Sequence, residues 1–86
     1  MFFHATWCKP CGFLERNFIS LAEKACPGQI ERIDVEIRPG FAEKLKVVRV
    51  PTLIFIDEGK EVFRKSMLLE PERLISWLKG KNDDID

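Results

Sequence analysis

Two cysteines stand three positions apart near the start of the chain, as Cys8-Lys9-Pro10-Cys11. This spacing is typical of a redox dithiol or of half a metal site. A thiol exchanges disulfides as its thiolate, and a cysteine at a helix N-terminus is favoured as thiolate by unpaired backbone N–H groups and the helix dipole. The spacing therefore predicts that Cys8 attacks a disulfide and that Cys11, one turn further on, resolves the mixed disulfide.

The residues around the pair suit the same chemistry. Pro10 stiffens the turn, and Lys9 adds a positive charge that favours the thiolate. Trp7 is expected to shield the pair and to offer a flat contact surface. Because two sulfurs carry the redox chemistry, we expect no metal and no organic cofactor.

The alternative is half of a structural zinc site, which needs two further ligands. His4 and Cys26 are the candidates. Cys26 follows Cys11 along the predicted helix at a distance of about 22 Å, at ~1.5 Å per residue, so the two sulfurs do not reach the same ion. Without a metal, His4 is either a structural residue or one that tunes Cys8. Cys26 is either a regulatory thiol or dimer link, or a small hydrophobic side chain at a helix end.

The elements that position the pair follow from hydrophobic periodicity. An apolar run over residues 1–4 predicts a buried strand. A helix is predicted from Pro10 to Cys26, ended by Pro27-Gly28. Its apolar positions recur at steps of three and four residues and predict one core-facing stripe, made of Leu14, Phe18, Leu21 and Ala25.

The remaining elements complete a mixed sheet. A second strand region is marked by apolar residues, which are Ile30, Ile33, Val35 and Ile37. A short helix is expected from Pro39 through about Lys46, then a hairpin with strands at Thr52 to Ile56 and about Glu61 to Ser66. A last helix, from Pro71 to near Gly80, directs four apolar side chains toward the sheet: Leu74, Ile75, Trp77 and Leu78. The order β-α-β-α-β-β-α predicts an α/β fold, a mixed four-stranded sheet flanked by helices.

Length and charge limit the possible classes of protein. Eighty-six residues, 45% of them hydrophobic, suffice for one core. We expect one domain over residues 1–80 and a polar tail over 81–86. Fourteen basic and fourteen acidic residues cancel, so no broad surface for nucleic acid is indicated. We expect a monomer whose partners are proteins or small molecules.

No segment predicts membrane insertion or export. The longest apolar stretches, such as residues 51–56, are far shorter than the ~20 residues of a membrane helix. The start Met1-Phe2-Phe3 has no cationic lead and no small-residue cleavage site behind it. We therefore expect a cytoplasmic protein, provided that Met1 is the native start.

The segment Ala5 to Cys11 resembles the active-site signature of the thioredoxin family, with Lys9 in place of its usual glycine. A second segment, from Asp34 to Thr52, is similar to the family's stretch that ends in Val-Pro-Thr. The resemblance covers essentially the whole chain. It implies a minimal thioredoxin-like fold and a protein-disulfide reductase that takes electrons from a thioredoxin-reductase-like donor and passes them to disulfide-containing target proteins.

The resemblance also implies a substrate groove. It implies that the Val50–Pro51 bond is cis and that the backbone of Val50 pairs with the substrate chain. Pro51, Trp7, Lys9 and Pro10 are the other residues expected to contact the substrate. Without the resemblance, an ordinary trans proline at the start of a strand fits as well.

Four features depart from the family pattern. The family's leading strand and helix have no counterpart in this sequence, which therefore resembles either a minimal form of the fold or a fragment. Phe2 stands where the family buries an aspartate, Met67 where it commonly has a glycine, and Arg16 where it has a helix-kinking proline. The rival functions are an oxidase or isomerase with the same fold, a redox-silent adaptor that binds partners around Trp7 and Pro51, and a zinc-binding module.

Overall fold

A computed structural model describes residues 1–66 and 71–80. In chain order these residues form β1 (Phe2–His4), α1 (Lys9–Leu14), a π-helical turn (Glu15–Ile19), α2 (Ser20–Ala25), β2 (Arg32–Asp34), α3 (Pro39–Lys44), β3 (Thr52–Asp57), β4 (Lys60–Ser66) and α4 (Pro71–Gly80). The sheet has the strand order β2-β1-β3-β4. Strand β1 is parallel to β2 and antiparallel to β3, which is antiparallel to β4. The predicted mixed four-stranded sheet and the predicted order of elements are confirmed.

The first helix contains one wide turn. Backbone angles stay helical through Leu14, Glu15, Ile19 and Ser20, so α1, the π-helical turn and α2 form one continuous helix. The Ser20 N–H donates to the carbonyl of Glu15, five residues back, which defines the π-helical turn. The Ser20 hydroxyl donates to the Arg16 carbonyl at 3.0 Å. The wide turn therefore occupies the position where the family pattern expects a kinking proline.

The wide turn corrects the predicted core stripe of this helix. Leu21 and Ala25 are exposed, and the buried positions beyond Leu14 are Ile19, Ala22 and Cys26. A π-helical turn takes in one extra residue, so each later core position moves forward by one along the sequence. Phe18 stays half-buried and packs against the core.

The second strand is shorter than predicted. Strand β2 ends at Asp34, and Val35 and Ile37 lie in a turn, with Ile37 exposed to solvent. The Asp34 carboxylate accepts a hydrogen bond from the Glu36 N–H at 2.8 Å, and the Asp34 carbonyl accepts from Ile37 and Arg38. An aspartate that bonds the backbone two residues on favours a turn over a strand.

Two apolar layers cover the two faces of the sheet. One layer holds Cys8 and Cys11 together with Phe2, Leu14, Leu53 and Leu78. The other layer packs α3 on the opposite face, through Phe3, Ile33, Ala42 and Ile54. The predicted burial of Leu78 and the packing of Ile75 are confirmed, whereas the predictions for the side chains of Leu74 and Trp77, for Met67 and for the tail 81–86 lie outside the described residues.

Two arginines of the sheet fix the helices to it, one through ion pairs and one through hydrogen bonds to backbone. Arg32 on β2 donates to both carboxylate oxygens of Glu15, at 2.7 and 2.9 Å, and also pairs with Glu23 at 2.7 Å. On the other face, Arg64 of β4 donates to the carbonyls of Leu45 and Lys46 just beyond α3. These carbonyls would otherwise lack a partner at a helix end. Helix α3 ends at Lys44, two residues before its predicted end, and Lys46 adopts a φ of 60°.

Candidate active site

The two cysteines of the motif form a disulfide at the start of the long helix. Cys8 is the N-cap of α1, and Cys11 lies one turn inside it, with their Cα atoms 5.2 Å apart. Both side chains are almost fully covered, at 7% and 3% exposure respectively. The structure thus brings together the two sulfurs that the sequence predicts to react with each other.

The sulfur of Cys8 accepts a hydrogen bond at the start of the helix. The backbone N–H of Cys11 donates to Cys8 Sγ at 3.1 Å. The N–H of Gly12 donates to the Cys8 carbonyl at 3.3 Å, and the Cys8 N–H donates to the Ala5 carbonyl at 3.2 Å. A hydrogen-bond donor and the positive end of a helix both stabilise a negative charge at this sulfur. This arrangement suits Cys8 for reaction as a thiolate.

Three predicted binding residues surround the disulfide on the solvent side. Trp7 exposes 65% of its surface, and Lys9 and Pro10 are also exposed. The preceding residue, Thr6, donates to a carboxylate oxygen of Glu36 at 3.0 Å, which connects this loop to the turn after β2. Trp7 therefore presents its flat surface to solvent beside two covered sulfurs, and its predicted role in binding stays a prediction.

The Val50–Pro51 bond is cis, as the resemblance predicts. Pro51 is buried and Val50 is half-buried against the core layer that contains the cysteines. Strand β3 starts directly after Pro51 and pairs Thr52 with Phe3 of β1, so the proline lies at the edge of the sheet from which the Cys8 loop leaves. The predicted role of Val50 and Pro51 in substrate binding stays a prediction.

Sequence analysis did not identify Thr52 as a residue that supports the site. Its side chain is buried, and its hydroxyl donates to the Arg49 carbonyl at 2.7 Å and lies 3.3 Å from the Ser66 hydroxyl. These bonds hold the backbone on both sides of the Val50–Pro51 bond. The sequence feature that could have indicated this role is a threonine directly after a proline at the start of a strand. A threonine hydroxyl can form hydrogen bonds with nearby backbone groups.

Phe2 is confirmed as a core residue of the layer that contains both cysteines. It is 1% exposed, and its ring stacks on His4 with 5.3 Å between the ring centroids. Where the family pattern has a carboxylate, this site has an aromatic ring. The stacking and half-burial of His4 fit the structural alternative that the sequence left open.

The last candidate from the sequence is Cys26. Cys26 is buried and unpaired in the same core layer, which fits a small hydrophobic side chain at a helix end. Among the described residues, no group of three or more His, Cys, Asp or Glu side chains is arranged to hold a metal ion. A cavity of about 470 Å³ opens at the opposite end of the sheet, beside Met1, Leu45 and Leu78, and contains none of the predicted site residues.

This fold and this disulfide define the class of thioredoxin-like dithiol proteins. The Thioredoxin family model matches residues 1–80. The chain belongs to the thioredoxin family. The predicted family and fold are therefore confirmed.

Individual relatives agree with the family match. The chain is 40% identical over 62 residues to thioredoxin H2-2 of Oryza sativa, a match that covers 72% of this chain and 46% of that protein. It is 37% identical over 76 residues to thioredoxin of Chlamydia trachomatis, covering 88% of this chain and 74% of that protein. The chain thus spans about half of the plant relative and about three quarters of the chlamydial one.

The fold also matches solved thioredoxin structures. Thioredoxin 1 from the thermophilic eubacterium Thermosipho africanus has a TM-score of 0.75 at 26% identity, over 91% of this chain and 86% of that one. A chloroplastic thioredoxin z structure has a TM-score of 0.75 at 28% identity, over 91% of this chain and 72% of that one.

Within the described residues, no helix is long and apolar enough to cross a membrane.

Proposed function

We propose that this protein is a thiol–disulfide oxidoreductase that reduces disulfides of target proteins through Cys8 and Cys11. One observation carries the proposal: the two sulfurs are joined as a disulfide at the start of a helix, with the Cys11 N–H directed at the sulfur of Cys8. Membership of the thioredoxin family supports the same activity.

The reaction exchanges one disulfide for another. In the reduced protein, the Cys8 thiolate attacks one sulfur of the target disulfide, and the other target sulfur leaves as a thiolate that takes up a proton. Cys11 then loses its proton and attacks the Cys8 sulfur, so the second target sulfur leaves. Two electrons pass to the target, and the Cys8–Cys11 disulfide remains.

The oxidised protein then needs a donor of two electrons and two protons. We propose a thioredoxin-reductase-like enzyme as that donor and disulfide-containing proteins as targets. Trp7, Lys9, Pro10, Val50 and Pro51 are proposed to contact the target. No metal and no organic cofactor enters this scheme, and nucleic acid and membranes have no part in it.

We further propose that residues 1–80 act as one monomeric domain followed by a polar tail over 81–86, in the cytoplasm. The extent of the family match supports the domain boundary.

The proposal is tested by redox titration followed by an activity assay. The protein is equilibrated with dithiothreitol buffers of graded potential, and its free thiols are counted by mass after alkylation. We expect two thiols to appear together at a strongly reducing potential, and the reduced protein to cleave the interchain disulfides of insulin. A clearly oxidising potential would favour the rival oxidase or isomerase, and two permanently free thiols without insulin reduction would contradict the proposal.

A further inference from the structure

The outward face of the long helix, over α1 and the start of the π-helical turn, combines two cations with an exposed aromatic ring next to the disulfide. Four residues form this basic helix face: Lys9, Gly12, Phe13 and Arg16. We propose that the basic helix face binds an acidic segment of the target polypeptide beside the target's disulfide. The inference rests on the proposed function, because it names the class of target that the same site prefers.

Helix geometry puts these four residues on one side. Positions separated by three, four and seven residues share a helix face, and helical side chains lean toward the N-terminus. Lys9 and Arg16 are therefore about 10 Å apart along the axis, at ~1.5 Å per residue, with Gly12 between them. Arg16 leans toward the disulfide, on the side where the helix starts.

The glycine makes room for that arginine. A Cβ atom built on Gly12 would lie only 3.2 Å from Arg16 Nη1, so the guanidinium rests over the bare backbone at this position. Any larger residue would push it aside. Gly12 follows Cys11 directly, so the guanidinium lies over the same helical turn as the disulfide.

The charges on this face have no counterion within the described residues. Neither Lys9 nor Arg16 belongs to an ion pair there, and the first turn of α1 contains no acidic residue. Glu15, the nearest acidic residue along the helix, is turned to the sheet and held by Arg32. The two cations are thus available to a partner of negative charge.

An apolar surface lies beside the cations. Phe13 is 47% exposed and packs edge-on against Phe18, with 5.8 Å between ring centroids. Trp7 exposes its ring on the loop just before Cys8. Exposed aromatic rings beside two separated cations fit an extended acidic segment with interspersed apolar residues. Charge complementarity of this kind acts mainly on the association rate and on the choice of partner.

The test uses two disulfide peptides that are identical except that four glutamates in one are glutamines in the other. Their second-order reduction rates are compared for the wild-type protein and three variants, namely Arg16→Gln, Arg16→Lys and Lys24→Gln. Lys24 is an exposed cation on α2, so Lys24→Gln removes the same charge far from the disulfide. A second readout measures binding of cysteine-free versions of both peptides to the oxidised protein, by NMR chemical shifts.

We expect the wild-type protein to prefer the glutamate peptide in both readouts. Arg16→Gln should reduce that preference about two- to five-fold, whereas Arg16→Lys and Lys24→Gln should retain it. Raising the ionic strength should also weaken the preference, because exposed charges are screened beyond about 8 Å at physiological salt.

The inference and the proposed function fail in different ways. Equal reduction of both peptides, or an equal loss of preference in Arg16→Gln and Lys24→Gln, would overturn the inference while the reductase activity stands. If the reduced wild-type protein reduces neither disulfide peptide, the proposed function is overturned. In that case, a binding preference that depends on Arg16 would still support an acidic partner for this face.

Discussion

The backbone N–H of Cys11 donates a 3.1 Å hydrogen bond to the sulfur of Cys8. No corresponding donor to Cys11 Sγ is found among the described residues, and Cys11 lies deeper in the core than Cys8. The two sulfurs of one disulfide therefore differ in their surroundings. Since a hydrogen bond to the charged form favours it, this difference supports the proposed roles of Cys8 in the first attack and of Cys11 in the resolving step.

Replacement of Phe2 by aspartate tests how the resolving step handles its proton. Phe2 is buried in the core layer that contains Cys11, so no carboxylate occupies that position. A buried thiol without a proton acceptor ionises with difficulty in an apolar environment. We expect release of a target thiol from a preformed Cys8 adduct to be slow near neutral pH and to rise with pH. Phe2→Asp should accelerate this release at neutral pH.

The measurement is single-turnover release of the thiol across a range of pH in both proteins. Circular dichroism must show that Phe2→Asp is folded, because a carboxylate in the core costs stability. Equal release rates near neutral pH in two folded proteins would mean that another group handles the proton.

Two glycines give opposite expectations when replaced by alanine. Gly12 lies within α1, and an added Cβ meets only the flexible end of Arg16. Gly12→Ala should therefore stabilise the fold by roughly 0.5–1 kcal/mol through helix propensity. Gly28, at the end of the long helix, has a φ of +79°. Gly28→Ala should destabilise by about 1–2 kcal/mol, because an L side chain is strained there.

Urea unfolding of the two variants beside the wild-type protein checks this pair. A loss of stability in Gly12→Ala would show that Arg16 cannot move aside. No loss in Gly28→Ala would show that the backbone there relaxes to a negative φ.

Arg32 contributes stability that depends on pH. Its guanidinium donates to both carboxylate oxygens of Glu15 and thereby holds the pKa of that carboxyl below its ordinary value of 4.5. A carboxyl whose pKa is lower in the folded than in the unfolded state stabilises the fold above its unfolded pKa. That stabilisation is lost as the pH falls through the folded pKa. Arg32→Gln should therefore lower the free energy of unfolding at neutral pH and have little effect well below pH 4.5.

Both side chains of the Glu15–Arg32 pair are about one-third exposed, so the loss should stay near 1 kcal/mol or less. The measurement is urea unfolding of the wild-type protein, of Arg32→Gln and of the control Lys24→Gln, from neutral pH to well below pH 4.5. A stability difference that does not change with pH would assign the role of Arg32 to packing.

Thr52 is expected to support the Val50–Pro51 segment through its hydroxyl. Thr52→Val keeps the shape but leaves the Arg49 carbonyl without the hydrogen bond that it now accepts at 2.7 Å. We expect a loss of about 1–2 kcal/mol in unfolding free energy and weaker target binding, whereas Thr52→Ser should retain most of both. Unfolding curves and the KM for a disulfide peptide measure the two effects. Equal values for both variants would exclude a role for the hydroxyl.

Much of this fold follows from local sequence patterns. The disulfide, the long helix after it and the hairpin agree with the predictions made from such patterns, whereas the cis bond before Pro51 was implied by the family resemblance alone. The hairpin turn is an example, because Glu58 and Gly59 both adopt positive φ, as a two-residue turn between strands requires. These features depend on residues close together in the chain.

The predictions were wrong where local hydrogen bonds override the hydrophobic periodicity of a helix or strand. A constant helical period placed Leu21 in the core, but the π-helical turn moves the buried position to Ala22. Alternating apolar residues led us to predict that the second strand continues to Ile37. In the structure the Asp34 carboxylate accepts a hydrogen bond from the Glu36 N–H, and the chain turns after Asp34. Neither departure changes the hydrophobic pattern itself, so the pattern did not reveal them.

The most direct test of the assigned roles is trapping of mixed disulfides by single cysteine variants. Reduced Cys8→Ser and Cys11→Ser proteins are incubated with a target disulfide and analysed by non-reducing electrophoresis and mass spectrometry. If the sulfur of Cys8 makes the first attack, as we propose, Cys11→Ser should accumulate a covalent adduct through Cys8, and Cys8→Ser should form none and reduce nothing. An adduct that accumulates only on Cys8→Ser, through Cys11, would contradict the assignment.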